Sequence, residues 1–269
     1  MSPQSSVPVF QNIRFRDCVH RNIAGTTPEA IISAVIAAPS EVCAPLVPPT
    51  DAGSVFIGVT QALGDRCFRD LWTRFQSRSA GRKANPMDLP AFIEGDPVSR
   101  DLPPLADLAA FDFAYFLAAQ PSPTPSIGAC CLTETLARQH PELMLRFQPG
   151  WRVLTLDWPV HRLLAETVTA EKLRALPAEP TRLRVAPVTP GVALTELAPA
   201  NHALELGLRS GARLAEAARA ATAFAADFDP YPVVAALVEA GAIVDAILHP
   251  ADSNASLPIP PLPNPEGRR

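Results

Sequence analysis

The sequence predicts an α+β protein in two parts, an N-terminal helical domain and a smaller C-terminal domain of strands and helices. The helix pattern at 102–120 is apolar almost all round, which is typical of the central helix of a bundle. Two β-type runs, 182–186 and 192–197, flank a Pro-Val-Thr-Pro-Gly segment that suits a hairpin. Three helical stretches and a strand at 243–248 follow, which gives the C-terminal part a winged-helix-like order.

The N-terminal half carries helix signals. Thr26 or Thr27 with Pro28 and Glu29 combines a capping residue, a first-turn proline and an acid near the positive helix end. This start belongs to a mostly helical pattern over 15–38. Apolar spacing predicts a helix over 55–75, broken at Gly64, and a short helix at 89–94.

The C-terminal half opens with a predicted strand at 152–156 and a helical turn at 159–165. The hairpin comes next, and helices are predicted after it at 199–208, 214–225 and 232–240. This succession of strands and then helices separates the C-terminal half from the helical half.

The domain organisation follows from these patterns and from the prolines, 31 of 269 residues. We expect a flexible N-terminus, a helical domain, a winged-helix-like domain and a Pro-rich disordered tail, over 1–14, 15–148, 149–249 and 250–269. The segment 121–128 reads as a linker within the helical domain.

The net charge of −4 disfavours a non-specific phosphate binder, which usually carries a basic excess. The longest apolar run, 30–38, is far shorter than the roughly 20 residues that a bilayer span needs. The chain has no basic residue before Arg14 and no apolar segment of signal-peptide type. We therefore expect a cytoplasmic protein with no membrane partner.

No constellation of catalytic or metal-binding residues is visible in the sequence. The five histidines are scattered, and no zinc, phosphate-loop or nucleophile-elbow spacing occurs. Adjacent Cys130 and Cys131 could bind a soft metal, but their side chains would diverge by about 100° on the predicted helix. His161 follows a strand and is better explained as a structural anchor than as a catalytic base. We predict no catalytic residue, no metal ligand and no bound cofactor.

The hairpin and the last helix form the candidate binding site. An edge strand has unpaired N–H and C=O groups to which an extended peptide can add. A neighbouring helix can supply side-chain pockets. The predicted peptide-binding residues are Val192, Ala193, Leu194, Thr195 and Glu196 on the strand, and Val234, Leu237 and Val238 on the helix.

Several segments resemble one known family. They are Pro103–Ala114 (PPLADLAAFDFA), Trp158–Leu163 (WPVHRL), Leu197–Leu204, Leu214–Ala218 and Leu237–Val244. His20-Arg21-Asn22 is similar to the family's Tyr-Arg-Asn-Asn segment. The family, first labelled DNA-binding, contains the partner proteins of multinuclear non-haem iron-dependent oxidative enzymes of the bufferin and methanobactin type.

The resemblance implies a non-catalytic subunit of a heterodimer. The iron belongs to the partner enzyme, which converts cysteines of a small precursor peptide into oxazolone/thioamide or thiooxazole groups. The product is a copper-binding peptide. The helical domain would dock on the enzyme, and the C-terminal domain would bind the peptide's leader by strand addition.

Two alternatives stay open. A winged-helix DNA-binding regulator would read DNA with the helix at 214–225, but this helix is rich in alanine and poor in Asn, Gln and Arg. An independent enzyme or copper chaperone would use the cysteines. Salt-sensitive binding to duplex DNA would favour the first, and activity or copper binding of the isolated chain the second.

Overall fold

The computed structural model describes residues 52–78, 84–120, 126, 137 and 140–248. The predicted flexible N-terminus, the helix at 15–38 and the Pro-rich tail lie outside the described residues, as does nearly all of the linker. Mixed helices and small antiparallel sheets confirm the α+β class. Among the described residues, no helix is long and apolar enough to cross a membrane.

The helices before the first strand are α1 (Ile57–Leu63), α2 (Asp65–Arg78), α3 (Leu89–Glu94), α4 (Val98–Asp101) and α5 (Leu105–Ala119), with a 3₁₀ turn at Pro86–Asp88. The predicted break at Gly64 is confirmed. Gly64 has a φ of 76°, a left-handed conformation that glycine adopts without steric cost, and it separates α1 from α2.

The remaining elements are β1 (Leu143–Phe147), β2 (Arg152–Leu156), a 3₁₀ turn (Val160–Leu163), α6 (Ala170–Ala175), β3 (Thr181–Pro187), β4 (Val192–Glu196), α7 (Pro199–Arg209), α8 (Leu214–Thr222), α9 (Pro230–Glu239) and β5 (Ile243–Leu248). The predicted strands and helices of this region are present, within a few residues of their expected ends. The sequence did not predict β1 or α6.

The strands form two antiparallel sheets. One sheet has the order β2-β3-β4, and the other pairs β1 with β5. In the larger sheet, Arg152 lies opposite Val185, and Val185 lies opposite Leu194. The β1–β5 pair joins segments about a hundred residues apart, from Leu143 opposite Leu248 to Phe147 opposite Ile243.

The apolar side chains collect in two cores. The helical core combines α1, α2, α3 and α5 with residues of the larger sheet, including Val59, Leu71, Ile93, Leu105, Leu108, Phe111, Leu156, Leu183 and Val185. The C-terminal core combines β1, β5 and the last three helices, including Leu145, Phe147, Leu204, Leu208, Leu214, Val234, Leu237 and Ile243.

The larger sheet therefore contributes to both cores. Side chains alternate between the two faces of a strand, so Leu183 and Val185 of β3 enter the helical core while Ala186 enters the C-terminal core. The predicted domain boundary after residue 148 falls between β1 and β2, and each core draws residues from both sides of it. The domain bounds stay a prediction.

Candidate functional site

The strand β4 lies at one end of the larger sheet. Leu197 donates its N–H to the Arg182 carbonyl at 2.8 Å, and Val188 donates to the Gly191 carbonyl at 2.9 Å. Hydrogen-bonded and non-bonded pairs alternate along an antiparallel ladder. The backbone groups of Ala193 and Thr195 therefore point towards β3.

The outward backbone groups of β4 belong to Val192, Leu194 and Glu196, by the same alternation. Within the described part of the chain, no strand pairs with this edge of β4. Among the described strands, β4 therefore has the edge position that strand addition requires. An extended peptide could hydrogen-bond to these three residues.

The side chains of β4 anchor the strand without covering its edge. Val192 and Leu194 are partly buried and pack against the helical core, whereas Thr195 and Glu196 are exposed. Anchoring through alternate side chains leaves the outward backbone groups in a fixed position, which lowers the entropy cost of adding another strand.

A charged network lies at the Glu196 end of β4. The Nε2 atom of His161 is 3.0 Å from Glu196 Oε1, and Arg162 Nη2 is 3.6 Å from the same oxygen. Arg162 also donates two hydrogen bonds to the Glu179 carboxylate, at 2.7 and 3.1 Å. These bonds raise the pKa of Arg162 and lower that of Glu179.

The surroundings of His161 support the structural role predicted for it. Its side chain is only 11% exposed, and its second ring nitrogen, Nδ1, is buried without a hydrogen-bond partner among the described residues. The ring therefore ties the 3₁₀ turn to Glu196 of the edge strand. The sequence missed this network, since residues 161, 179 and 196 are brought together only by the fold.

Asp107 fixes the same turn to helix α5. Its Oδ2 atom accepts hydrogen bonds from the backbone N–H groups of Asp157 at 2.6 Å and Trp158 at 2.9 Å. Burial raises the pKa of Asp107, and the two N–H bonds partly oppose that rise. Asp107 and Asp112 are the only charged residues of this apolar helix, so the sequence did give a signal for Asp107.

On the opposite face of the sheet, polar side chains pair with the buried residues Glu205 and His202 of α7. Arg184 forks onto the fully buried carboxylate of Glu205, and its guanidinium lies 5.5 Å from the centre of the Trp151 ring. His202 Nε2 is 3.2 Å from Thr155 Oγ1. Burial lowers the pKa of His202, which favours the neutral ring. These pairs hold the helix to the sheet.

The helical half of the predicted binding site is packed inside the protein. Val234, Leu237 and Val238 of α9 are 2%, 1% and 3% exposed and belong to the C-terminal core. The structure does not bring them together with Val192 and Leu194, which pack on the helical core. The apolar stripe of α9 covers other parts of the chain, so it offers no pocket at the β4 edge.

The remaining candidates from the sequence are the cysteines and the segment that is similar to the family's Tyr-Arg-Asn-Asn. Cys130 and Cys131, and the segment His20-Arg21-Asn22, lie outside the described residues. Cys67 is an exposed free thiol on α2. In the part of the chain that the structure describes, no three His, Cys, Asp or Glu side chains are grouped as metal ligands would be.

Comparison with known proteins adds no assignment. No protein-family model matches the chain, and no curated protein matches it.

Proposed function

We propose that this protein is the non-catalytic partner subunit of an iron-dependent peptide-modifying oxidase. Strand β4 binds the leader of a cysteine-containing precursor peptide by strand addition. The observation that carries this proposal is the outer edge of β4, with which no other described strand pairs, and the outward backbone groups of Val192, Leu194 and Glu196.

The order of elements supports the proposal. Three antiparallel strands, β2 to β4, precede three helices, α7 to α9. This succession supports the winged-helix-like order proposed for the peptide-recognition domain that the resemblance implies. The edge on which the peptide would add is the third strand of that order.

Two of the resembling segments are linked by contacts to this edge. Asp107, in the first segment, accepts hydrogen bonds from the backbone at the start of the second. The second segment contains His161, which contacts Glu196 on β4. A chain of contacts thus runs from helix α5 to the strand on which the leader is proposed to bind.

The division of labour follows from the resemblance. The partner enzyme holds the iron and oxidises the cysteines, while this chain binds no cofactor and presents the peptide in the cytoplasm. The helical domain docks on the enzyme. The modified peptide is a copper-binding product of the methanobactin or bufferin type.

Co-expression with the candidate iron enzyme tests the partnership. Size-exclusion chromatography with metal analysis should show one-to-one co-elution, with iron present only when the enzyme is included. Elution of this chain alone would contradict the proposal, and duplex DNA would then be the next ligand to test.

Replacing Leu194 with proline tests strand addition on the full chain. Leu194→Pro removes an outward N–H and should weaken leader-peptide binding about tenfold or more. Leu194→Ala removes the same side chain but keeps the N–H, so it serves as the matched control. Fluorescence anisotropy with labelled leader peptide measures both, and circular dichroism checks the fold.

Equal affinity of the Leu194→Pro and Leu194→Ala variants would overturn strand addition on β4. Ala193→Pro gives a second comparison, because the Ala193 backbone points towards β3. That substitution should disrupt the hairpin itself and lower stability, whereas Leu194→Pro should leave the β3–β4 ladder intact.

A further inference from the structure

A cleft of about 360 Å³ lies between the end of β1, the start of β2 and the end of α7. Its walls include three arginines, Arg146, Arg152 and Arg209, and three apolar residues, Leu145, Phe147 and Pro149.

Arg152 and Arg209 converge on one atom. Arg152 Nη1 donates to the Trp151 carbonyl oxygen at 3.2 Å, and Arg209 Nε donates to the same oxygen at 2.8 Å. The two nitrogens therefore lie within about 6 Å of each other. Two positive charges are held close together by a neutral acceptor.

Neither of these arginines has a carboxylate partner among the described residues. Arg146, by contrast, lies 3.6 Å from Asp245. An arginine stays charged near neutral pH and carries five N–H donors, most of which a single carbonyl cannot satisfy. The two guanidinium groups repel each other, and an anion between them would remove that repulsion.

We propose that this cleft binds an oxyanion, a carboxylate or phosphate group attached to a small apolar body. Guanidinium forks match the paired oxygens of both groups. Pro149 provides partly exposed apolar wall for the rest of the ligand, next to the small parts of Leu145 and Phe147 that the C-terminal core leaves uncovered.

The cleft is separate from the proposed peptide edge. Arg152 belongs to β2, whose partner strand β3 lies between it and β4. A peptide added along the outward edge of β4 would lie at the edge of the sheet opposite β2. The anion site thus does not depend on the proposed function.

Isothermal titration calorimetry of the full chain with benzoate, phenyl phosphate and inorganic phosphate tests the site. We expect at least one of the two aromatic anions to bind, and more tightly than inorganic phosphate. Preference for benzoate would assign a carboxylate ligand, and preference for phenyl phosphate a phosphate ester. Arg152→Gln and Arg209→Gln should each weaken binding about tenfold or more.

Arg219→Gln is the matched control, since Arg219 is exposed on α8 and does not line the cleft. The Arg219→Gln variant should bind the aromatic anions with the same affinity as the unmodified chain. Absence of binding by both aromatic anions at millimolar concentration would overturn the proposal, as would equal affinity of Arg152→Gln. Arg152 makes the longer of the two bonds to Trp151, so Arg152→Gln keeps the test valid if Arg209→Gln disturbs the fold.

Discussion

At the residue scale, Asp112 is a buried titrating group that links two helices. Its Oδ2 accepts the Val59 N–H at 3.0 Å, which links α5 to α1. Burial raises its pKa to about 7, against the hydrogen bonds from the Val59 and Gly58 backbones. The folded protein therefore keeps a proton on Asp112 over a range in which the unfolded chain has released it.

We expect stability to fall as pH rises through this range. Between the ordinary value of 3.8 and about 7, the native state binds more protons than the unfolded state, so the free energy of unfolding decreases with pH. Asp112→Asn removes this dependence. Urea unfolding of both proteins from pH 5 to 8 should show the free energy of unfolding of the variant increasing relative to that of the unmodified protein as the pH rises. A difference in the free energy of unfolding that does not change with pH would contradict the raised pKa of Asp112.

A second residue-scale prediction concerns the Arg184–Glu205 pair. Arg184→Met leaves the fully buried Glu205 carboxylate without its charged partner and should cost about 3–5 kcal/mol. The double variant Arg184→Met/Glu205→Met removes both charges and should recover much of that loss. Urea denaturation of the three variants (both single changes and the double) measures the coupling. Additive losses would show that the ion pair does not hold α7 to the sheet.

At the scale of elements, Gly150 marks where the chain passes directly over helix α5. A Cβ atom at Gly150 would lie 2.9 Å from the Leu117 carbonyl oxygen and 3.1 Å from Ala118 Cα. Backbone atoms cannot move aside as a flexible side chain can. The turn between β1 and β2 therefore has room only for glycine.

Gly150→Ala should accordingly lower the free energy of unfolding by about 1–3 kcal/mol. Gly95→Ala is the matched control, because the nearest atoms to its added Cβ are 3.7 Å away and its φ is −89°. That variant should differ from the unmodified chain by less than about 1 kcal/mol. Similar thermal unfolding of both variants would contradict close packing at Gly150.

Elements with strong local signals were predictable from the sequence. The β3–β4 hairpin has a turn-rich connection, and α5 is apolar almost all round. Strand β1 was missed because its partner, β5, lies about a hundred residues away, and nothing local marks that pairing. Helix α6 was missed because it is only six residues long and half of its residues are charged, so it has no clear apolar periodicity.

The candidate site was predictable only in part, for a related reason. The edge position of β4 follows from local hairpin order. The burial of α9 in the C-terminal core could not be predicted in the same way. An apolar stripe shows that one face of a helix will be buried, but it does not show which residues cover that face. The sequence likewise marks Arg146, Arg152 and Arg209 as charged without showing that they line one cleft.

At the scale of the whole molecule, the larger sheet contributes side chains to both cores of the described residues. Substitutions in it should affect both halves of the described structure, and the described part of the chain should then unfold as one cooperative unit. Leu183→Ala, at a fully buried position of β3, should cost about 2–5 kcal/mol. Coincident transitions by tryptophan fluorescence and far-ultraviolet circular dichroism would support this, and two separate transitions would contradict it.

The pairing of β1 with β5 also bears on how the protein is made. During synthesis β1 leaves the ribosome about a hundred residues before its partner, which at roughly 5–20 residues per second is a delay of about 5–20 s. Throughout that interval Leu143, Leu145 and Phe147 have no second strand beside them. The nascent chain thus has an open apolar strand that chaperones could bind, and folding of the C-terminal core ends only when its last strand arrives.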